Sequence, residues 1–326
     1  MPKVSIILPT YNGQAYIEEA IISILNQTFR DFELIVVDDC STDHTPKVLD
    51  FFKLQDSRIK IITNKKNLKL PASLNVGHRI AQGDYLTWTS DDNILHINFV
   101  ERLVKVLETN IEDVVYSDFN IINNQDEYIR VYKTSPVSLL PFKNGIGASF
   151  MYRKEVFQKL NYNEALHGIE DYDFWVRVAN SFKFKHLSEV LYSYRIHENS
   201  LTTEIGRNEA AKEAFDNNLM VVLKNFKMFK PETRKMLFQF QRESYWEWKY
   251  FFNVRKTAEL DFEKWNKFNG NNTNFFKEHY IKTLRNLLVN KGDRRTVGRL
   301  ILLKPSLLSY KYSTRTSLNI LKKIFI

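Results

Sequence analysis

The sequence predicts an α/β protein with a mainly parallel, doubly wound sheet, followed by a mostly α-helical C-terminal region. Short apolar runs alternate with helical patterns up to about residue 120, and helical periodicity dominates after residue 206. Strands that alternate with helices form parallel sheets through right-handed crossovers. We place the boundary after residue 205 and expect two domains, residues 1–205 and the basic helical region 206–326.

The first 120 residues contain five apolar runs that are typical of buried strands. These runs are Val4–Leu8, Glu33–Val37, Ile59–Thr63, Tyr85–Thr89 and Val114–Tyr116. Apolar residues at helical spacing predict the connecting helices, which are Tyr16–Leu25, Thr45–Phe52, Ala72–Ala81 and Phe99–Glu108. We expect Thr45 to be the N-cap of the second helix, with Pro46 at its first helical position.

The alternation weakens after Phe119, where the chain becomes rich in loops. We expect strands at Tyr128–Tyr132 and Ala148–Tyr152, and helices at Lys154–Leu160 and Tyr172–Ala179. A final pair of strands is predicted at Phe184–Leu187 and Leu191–Arg195. Longer helices are then predicted at Glu209–Phe226, Pro231–Phe252 and Phe275–Val289.

Composition limits the classes of protein that this chain can belong to. With 326 residues and 44% hydrophobic residues, the chain can bury a sizeable core. Its single cysteine, Cys40, excludes an internal disulfide and a cysteine-based metal site, and fits a reducing compartment. No apolar run is long enough to span a bilayer, and the N-terminus lacks the pattern of a signal peptide. We therefore expect a cytoplasmic protein.

Charge is distributed unevenly along the chain. Residues 1–204 have 22 basic against 27 acidic residues, whereas residues 205–326 have 25 against 11. Residues 290–326 combine nine basic residues and one acid, Asp293, with several apolar runs, which suits an anionic membrane surface. We expect peripheral attachment through 290–326 at the inner face of the plasma membrane. A solvated helical appendage and an oligomer contact are the alternatives. No nucleic-acid-binding motif is present, so we expect no nucleic-acid partner.

Two pairs of adjacent acids follow predicted strands, Asp38-Asp39 and Asp91-Asp92. Buried carboxylates so close together repel one another, and a divalent cation would relieve that repulsion. Mg²⁺ and Mn²⁺ prefer oxygen ligands and commonly bind through one or two carboxylates together with substrate phosphates. Ligands of open α/β sheets bind outside the carboxyl ends of the strands. The pairs therefore predict a metal-assisted site for a phosphorylated ligand; a solvated acidic loop is the alternative.

Three ordered motifs resemble family 2 glycosyltransferases, which have the GT-A fold. They are the opening segment 4–12, with sequence VSIILPTYN, the segment 32–39, with sequence FELIVVDD, and Ser90-Asp91-Asp92-Asn93. The last motif is similar to the version found in spore-coat polysaccharide glycosyltransferases. The resemblance covers roughly residues 3–200, and it implies transfer of a sugar from a nucleotide donor.

The resemblance also implies which residues hold the donor. Thr10, Tyr11, Asn12 and Asp39 would hold the uracil and ribose of a UDP-sugar. Asp38 would instead orient the loop through backbone hydrogen bonds, while Asp39 contacts the donor.

The resemblance further implies a metal motif. Asp91 would contact the ribose or a metal-bound water, and Asp92 would bind Mn²⁺ or Mg²⁺ directly. This motif departs from the family's D-x-D pattern because Thr89 stands in place of its first acid, which puts metal affinity and activity in doubt.

The remaining expected site residues come from the second half of the resemblance. Asp171 would be the general base, and Glu170 either binds the acceptor or favours the helix start. Gly147 would lie on the acceptor side, with a tight turn as the equal alternative. His197 would bind the metal or a phosphate, and Arg195 would neutralise phosphate charge.

Together these expectations describe an inverting glycosyltransferase that modifies a glycan or lipid-linked acceptor in bacterial surface polysaccharide synthesis. The alternatives are a nucleotidyltransferase and a weakly active binding protein with the transferase fold. A nucleotidyltransferase would normally have a glycine-rich basic loop near its N-terminus, and segment 9–13, with sequence PTYNG, lacks one.

Overall fold

A mixed nine-stranded sheet forms the centre of the first half of the computed structural model. The strands in chain order are β1 (Val4–Thr10), β2 (Phe32–Asp38), β3 (Ile59–Thr63), β4 (Tyr85–Trp88), β5 (Ile94–Leu95), β6 (Val114–Ile122), β7 (Tyr128–Tyr132), β8 (Phe150–Arg153) and β9 (Phe184–Arg195). Their spatial order is β3-β2-β1-β4-β8-β6-β9-β5, and β7 pairs with β6.

Helices connect the strands and make up most of the C-terminal part. The first set is α1 (Ile17–Leu25), α2 (Thr45–Gln55), α3 (Leu70–Ile80), α4 (Phe99–Leu107), α5 (Lys154–Lys159) and α6 (Glu170–Val178). The second set is α7 (Glu209–Lys224), α8 (Pro231–Gln241), α9 (Trp248–Phe268), α10 (Thr273–Lys291), α11 (Arg294–Leu303) and α12 (Thr314–Phe325). The structure describes residues 1–109, 111–201, 203, 205, 208–269, 273–309, 311 and 313–325.

The half of the sheet formed by β3, β2, β1 and β4 is parallel, as the sequence predicts. Every residue of β1 and β2 is buried, which explains their nearly continuous apolar sequence. In the other half, β8 runs antiparallel to both β4 and β6, and β6 pairs with β9 in parallel. The predicted α/β architecture with a helical C-terminal region is confirmed, and its sheet is mixed.

Three predicted elements differ from the structure. The predicted final strand pair is the single strand β9, which contains a bulge at Ser188 and Glu189, because its register against β6 shifts between Leu187 and Val190. The predicted helix Pro231–Phe252 is interrupted by a 3₁₀ turn at Glu243–Tyr245, after which Trp246 is extended. Thr45 is the first residue of α2 rather than its N-cap, and the Asp43 carboxylate accepts a hydrogen bond from the Thr45 N–H at 2.9 Å.

The chain divides into two compact units. The first contains Met1–Pro136 and Asn144–Val222, and the second contains Val137–Lys143 and Leu223–Ile326. These units are defined by packing rather than by independent folding, so the domain boundary after residue 205 stays a prediction.

The second unit packs around aromatic side chains. The Phe142 ring contacts those of Phe240, Phe262 and Tyr280, and the Trp265 indole N–H donates to the Ser138 carbonyl at 3.0 Å. Segment 137–143 is therefore part of this unit's core. In the described ranges of the chain, no helix has both the length and the low polarity needed to cross a membrane.

Candidate active site

The loop after β1 is connected to the loop after β2 by hydrogen bonds from Asn12. Asn12 has a left-handed backbone with a φ of 56°; its N–H donates to Ser41 Oγ at 2.9 Å, and its Oδ1 accepts from the Thr42 N–H at 2.8 Å. Tyr11 is 48% exposed. Asn12 therefore shapes this loop, whereas Tyr11 leaves a ring face available for a ligand.

Asp39 lies directly after β2 and is buried. Its Oδ1 accepts hydrogen bonds from Asn64 Nδ2 and the Leu68 N–H, and its Oδ2 accepts from the Lys69 N–H, each at 2.8 Å. Three donors compensate the loss of water around this carboxylate. Asp39 thus fixes the segment that leads into α3.

Asp91 is held at the end of β1 by a short hydrogen bond from the Thr10 hydroxyl to its Oδ2. Gly13 lies against the same two side chains, and any added Cβ there would collide with both of them. Burial, together with the neighbouring charge of Asp92, raises the pKa of Asp91 to about 7, against the opposing effect of the Thr10 hydrogen bond. The ends of β1 and β4 therefore meet at Asp91, whose ionised form is destabilised by burial and by the charge of Asp92.

Asp92 and His197 form a side-chain pair, with the imidazole Nε2 at 2.9 Å from Asp92 Oδ2. The other carboxylate oxygen, Asp92 Oδ1, is buried and has no hydrogen-bond partner among the described residues. The structure thus joins Asp92 and His197, which lie 105 positions apart in the sequence. Buried carboxylate oxygens without donors are uncommon and call for a cationic or hydrogen-bonding partner.

Arg195 is buried and its hydrogen bonds are made within the protein, so the expectation that it neutralises substrate phosphate is wrong. Its guanidinium bonds Glu19 Oε2 at 2.6 Å, the Asp92 carbonyl at 2.7 Å and Asp126 Oδ1. The Tyr16 ring lies 4.5 Å from this guanidinium and 5.1 Å from the His197 ring. Arg195 and Tyr16 therefore support the backbone and imidazole of the Asp92–His197 pair.

Thr89, which replaces the first acid of the motif, is buried. Its hydroxyl lies 2.7 Å from the Tyr192 hydroxyl, within hydrogen-bond distance. A carboxylate at this position would be placed against a phenol and away from solvent. The threonine fits this environment without adding a third negative charge beside Asp91 and Asp92.

Glu170 and Asp171 begin α6. Glu170 is buried and accepts a hydrogen bond from the Gly168 N–H at 2.7 Å, so its carboxylate is engaged with its own loop. Asp171 Oδ1 accepts from the Tyr172 N–H at 2.6 Å, and its Oδ2 accepts from Asn144 Nδ2 at 2.7 Å. Burial raises the pKa of both carboxyls, and the charge of Asp171 raises the pKa of Glu170 further.

Tyr162 bonds the carboxyl end of β4 and lies within electrostatic range of Asp171. The Tyr162 hydroxyl accepts a hydrogen bond from the Trp88 indole N–H at 2.8 Å, and the charge of Asp171 adds to the rise in the pKa of Tyr162, after burial and Tyr152. Trp88 is the last residue of β4, three positions before Asp91.

Gly147 has a φ of 76°, and an added Cβ would collide with the Phe119 ring. Backbone conformation and packing both require glycine here. This supports the tight-turn alternative, while the expected acceptor role of Gly147 stays a prediction.

The residues present fit a divalent cation that takes one or two ligands from the protein and most of its ligands from the substrate and water. No three His, Cys, Asp or Glu side chains cluster as a metal site within the part of the chain that is described. Asp92 Oδ1 and His197 could supply one or two ligands, and Mg²⁺ and Mn²⁺ commonly take their other ligands from phosphates and water.

Three residues that contact candidate site residues escaped the sequence analysis: Tyr16, Glu19 and Asn144. Tyr16 and Glu19 lie next to or in helix α1, which the sequence analysis predicted from its apolar residues alone. Asn144 lies in a loop without periodicity. Only their partners, distant in sequence, reveal their roles. The charged pair Glu18-Glu19 on an otherwise apolar helix was the one available signal.

The fold and these acids define a glycosyltransferase of the GT-A type, and comparison with known proteins identifies its family. The family model for glycosyl transferase family 2 matches residues 5–165. An uncharacterized glycosyltransferase of Haemophilus influenzae is 34% identical over an alignment of 247 residues that covers 68% of this chain and 75% of that protein. Another, from Methanocaldococcus jannaschii, is 32% identical over 60% of this chain and 71% of its own length. The chain belongs to glycosyltransferase family 2.

Solved structures share the fold at low sequence identity. TarS of S. aureus in complex with UDP-GlcNAc has a TM-score of 0.61 and 17% identity, covering 98% of this chain and 89% of that one. The mannosyltransferase PcManGT of Pyrobaculum calidifontis in complex with GDP-Man and Mn²⁺ has a TM-score of 0.56 and 15% identity, covering 99% and 87%.

Proposed function

We propose that this enzyme is an inverting glycosyltransferase that moves a sugar from a UDP-sugar to a hydroxyl of a glycan or lipid-linked acceptor. We assign this reaction to the synthesis of bacterial surface polysaccharide. The observation that carries the proposal is that two of its acids, Asp92 and Asp171, have different hydrogen-bonding partners. Asp92 pairs with His197 and keeps one oxygen without a partner in the described part of the chain, whereas Asp171 is held by neutral donors, the Tyr172 N–H and the Asn144 amide.

The reaction needs one proton acceptor, and Asp171 fits that role. Its carboxylate takes the proton from an acceptor hydroxyl while that oxygen bonds to the anomeric carbon of the donor. The bond from the anomeric carbon to the diphosphate breaks, the nucleoside diphosphate leaves with the electron pair, and the anomeric centre inverts. A raised pKa makes Asp171 a stronger base than an ordinary aspartate.

Tyr11 is the residue best placed to stack on the base of the donor, because its ring is exposed. Thr10, Asn12 and Asp39 fix the loops around it through the bonds described above, and Asp91 remains a candidate contact of the ribose. Structural likeness to TarS, solved with UDP-GlcNAc, supports the choice of UDP.

Asp92 and His197 would hold a divalent cation, Mn²⁺ or Mg²⁺. When bound there, it neutralises charge that develops on the leaving diphosphate. Arg195 and Tyr16 keep the two candidate ligands together.

A panel of nucleotide sugars, assayed for release of the nucleoside diphosphate with and without Mn²⁺, tests the reaction. Asp171→Asn should lower turnover by roughly 10²- to 10⁴-fold and leave the affinity for UDP unchanged, since general base catalysis contributes about that much. Asp50→Asn, at an exposed position of α2, is the matched control and should be fully active.

Retention of turnover in Asp171→Asn would remove Asp171 from the mechanism. UDP binding without turnover by the unchanged enzyme, on every donor of the panel, would instead support the alternative of a binding protein with little activity.

We propose a membrane-facing role for the exposed side of α11, which includes Arg295, Arg299 and Leu302. Leu302 is 84% exposed, and Leu303 beside it is also exposed. Arg295, Arg299 and Leu302 recur at helical spacing, so cationic groups lie next to a protruding apolar side chain. This combination favours an anionic bilayer surface, where basic groups meet lipid headgroups and the leucine enters the interface.

Flotation with vesicles of phosphatidylcholine containing phosphatidylglycerol tests this role at low salt. Deleting 290–326 would remove buried core residues such as Leu300 and Ile320, so point variants are preferable. The double variant Arg299→Gln, Leu302→Ser should lose flotation, whereas Leu54→Ser on α2, whose leucine is 85% exposed, should keep it. Equal flotation of the two variants, or none by the unchanged protein, would favour a solvated appendage or an oligomer contact.

A further inference from the structure

The nitrogen and the oxygen of the Asn144 amide differ in their hydrogen-bond partners. Its Nδ2 donates to Asp171 Oδ2 at 2.7 Å. Its Oδ1 is buried and has no hydrogen-bond partner among the described residues. An ionised carboxylate can only accept hydrogen bonds, so the amide nitrogen must face Asp171 and the oxygen must face elsewhere.

A buried amide oxygen without a partner is costly. Leaving such a group unsatisfied costs about 1–3 kcal/mol, and native structures contain few of them. The rest of the amide is well placed, because its nitrogen fixes the carboxylate that we assign as the base. The oxygen that lacks a donor therefore belongs to the same side chain that holds the proposed base.

We propose that Asn144 positions both reactants: its Nδ2 orients Asp171, and its Oδ1 accepts a hydrogen bond from an acceptor hydroxyl adjacent to the attacking one. This inference rests on the proposed role of Asp171. It predicts an acceptor with neighbouring hydroxyls, as in a sugar ring or a polyol, because one hydroxyl faces the carboxylate while its neighbour faces the amide oxygen.

Other groups around Asp171 act on its proton affinity as well. Glu170 precedes it on α6, and the buried Tyr162 hydroxyl lies near it. The Tyr172 N–H and the Asn144 amide stabilise its charged form against burial. Removing the Asn144 N–H should therefore make the carboxyl harder to ionise.

The first experiment measures the ionisation of Asp171 directly and does not depend on turnover. A ¹³C carboxyl NMR titration, with Asp171 assigned by its loss in Asp171→Asn, should show its apparent pKa rising by roughly half to one unit in Asn144→Leu, the scale expected when one neutral hydrogen bond is lost. Asn217→Leu, at an exposed position of α7, should leave it unchanged. An unchanged Asp171 titration in Asn144→Leu would overturn the orienting half of the proposal.

The second experiment compares two simple acceptors, glycerol, which has neighbouring hydroxyls, and 1,3-propanediol, which does not. With whichever donor supports turnover, the unchanged enzyme should transfer to glycerol roughly tenfold faster, the size of one buried hydrogen bond. Asn144→Leu should lose that preference at an unchanged donor KM, and Asn144→Gln should recover part of it. Asn144→Ser, a smaller change, provides a second folded variant.

The outcomes separate this inference from the function on which it rests. An active Asp171→Asn variant would contradict the general base. An inactive Asp171→Asn variant together with a glycerol preference that persists in Asn144→Leu and Asn144→Ser would overturn only the role of Asn144. No preference for glycerol by the unchanged enzyme would overturn the acceptor half.

Discussion

Two pairs of adjacent acids occupy equivalent places in the sheet and have opposite surroundings. Asp38 accepts a hydrogen bond from the Ser41 N–H, and Asp39 accepts three more from the segment 64–69. Asp91 instead has a raised pKa, and Asp92 keeps one oxygen for which the residues that the structure describes offer no partner. The first pair is used to build loops, whereas the second retains unsatisfied charge that a ligand can meet. Hydrogen bonding, and not sequence context, distinguishes the two.

Removing Asp39 should produce the largest loss of stability among these acids. Asp39→Ala leaves Asn64 Nδ2 and the N–H groups of Leu68 and Lys69 without their acceptor. We expect the free energy of unfolding to fall by roughly 2–4 kcal/mol, measured by urea denaturation. Asp50→Ala is the control, and an equally small loss in both variants would contradict the loop-building role of Asp39.

Removing the charge of Asp91 should instead raise the free energy of unfolding at neutral and alkaline pH. Its pKa of about 7 in the folded state lies above that of an unfolded aspartate, so the folded state binds more protons between about pH 4 and pH 7. The contribution of Asp91 to wild-type stability must therefore fall as pH rises through this window. Asp91→Asn removes that contribution and should be more stable than the wild type at pH 8, by roughly 1–3 kcal/mol, with no such gain at pH 4.

Urea unfolding in EDTA at the two pH values measures this difference, because bound metal would otherwise stabilise the charged form. A pH-independent difference between Asp91→Asn and the wild type would show that the unsatisfied charge is not located at Asp91.

Arg195, which bonds the carbonyl of Asp92, should show the smallest effect on stability when it is substituted. Arg195→Lys keeps the charge but loses the planar fork that bonds Glu19 and the Asp92 carbonyl together. We expect a loss of about 1 kcal/mol in stability and roughly tenfold in Mn²⁺-dependent UDP affinity, as for other groups that orient metal ligands. Calorimetric titration of UDP with Mn²⁺ measures it, with the exposed Arg79→Lys as the control. Unchanged affinity would mean that Arg195 stabilises the fold alone.

The sequence predicted the parallel half of the sheet because each strand there is a nearly continuous apolar run. It did not predict that β8 would lie antiparallel between β4 and β6, since the order of strands depends on long-range pairing. The break predicted between Leu187 and Leu191 is a bulge within β9, where Leu187 pairs with Ser117 and Val190 pairs with Asp118.

Site residues that belong to a motif were predictable, and residues that act through distant partners were not. The structure places Asp92 beside His197, whose pairing no local pattern indicates. Arg195 was assigned to a substrate phosphate because it is cationic, but two carboxylates and a carbonyl already bind it. Asn144 had no signal at all, since its role arises only when α6 brings Asp171 to it.

Segment 137–143 has a practical consequence for engineering this enzyme. These seven residues interrupt the first unit in sequence yet belong to the second, where the Phe142 ring contacts those of Phe240, Phe262 and Tyr280. A recombinant fragment that stops at residue 222 would still carry this apolar segment, including Phe142, without its partners and should aggregate. Chimeras that exchange the helical unit between relatives must therefore transplant two separate stretches of gene.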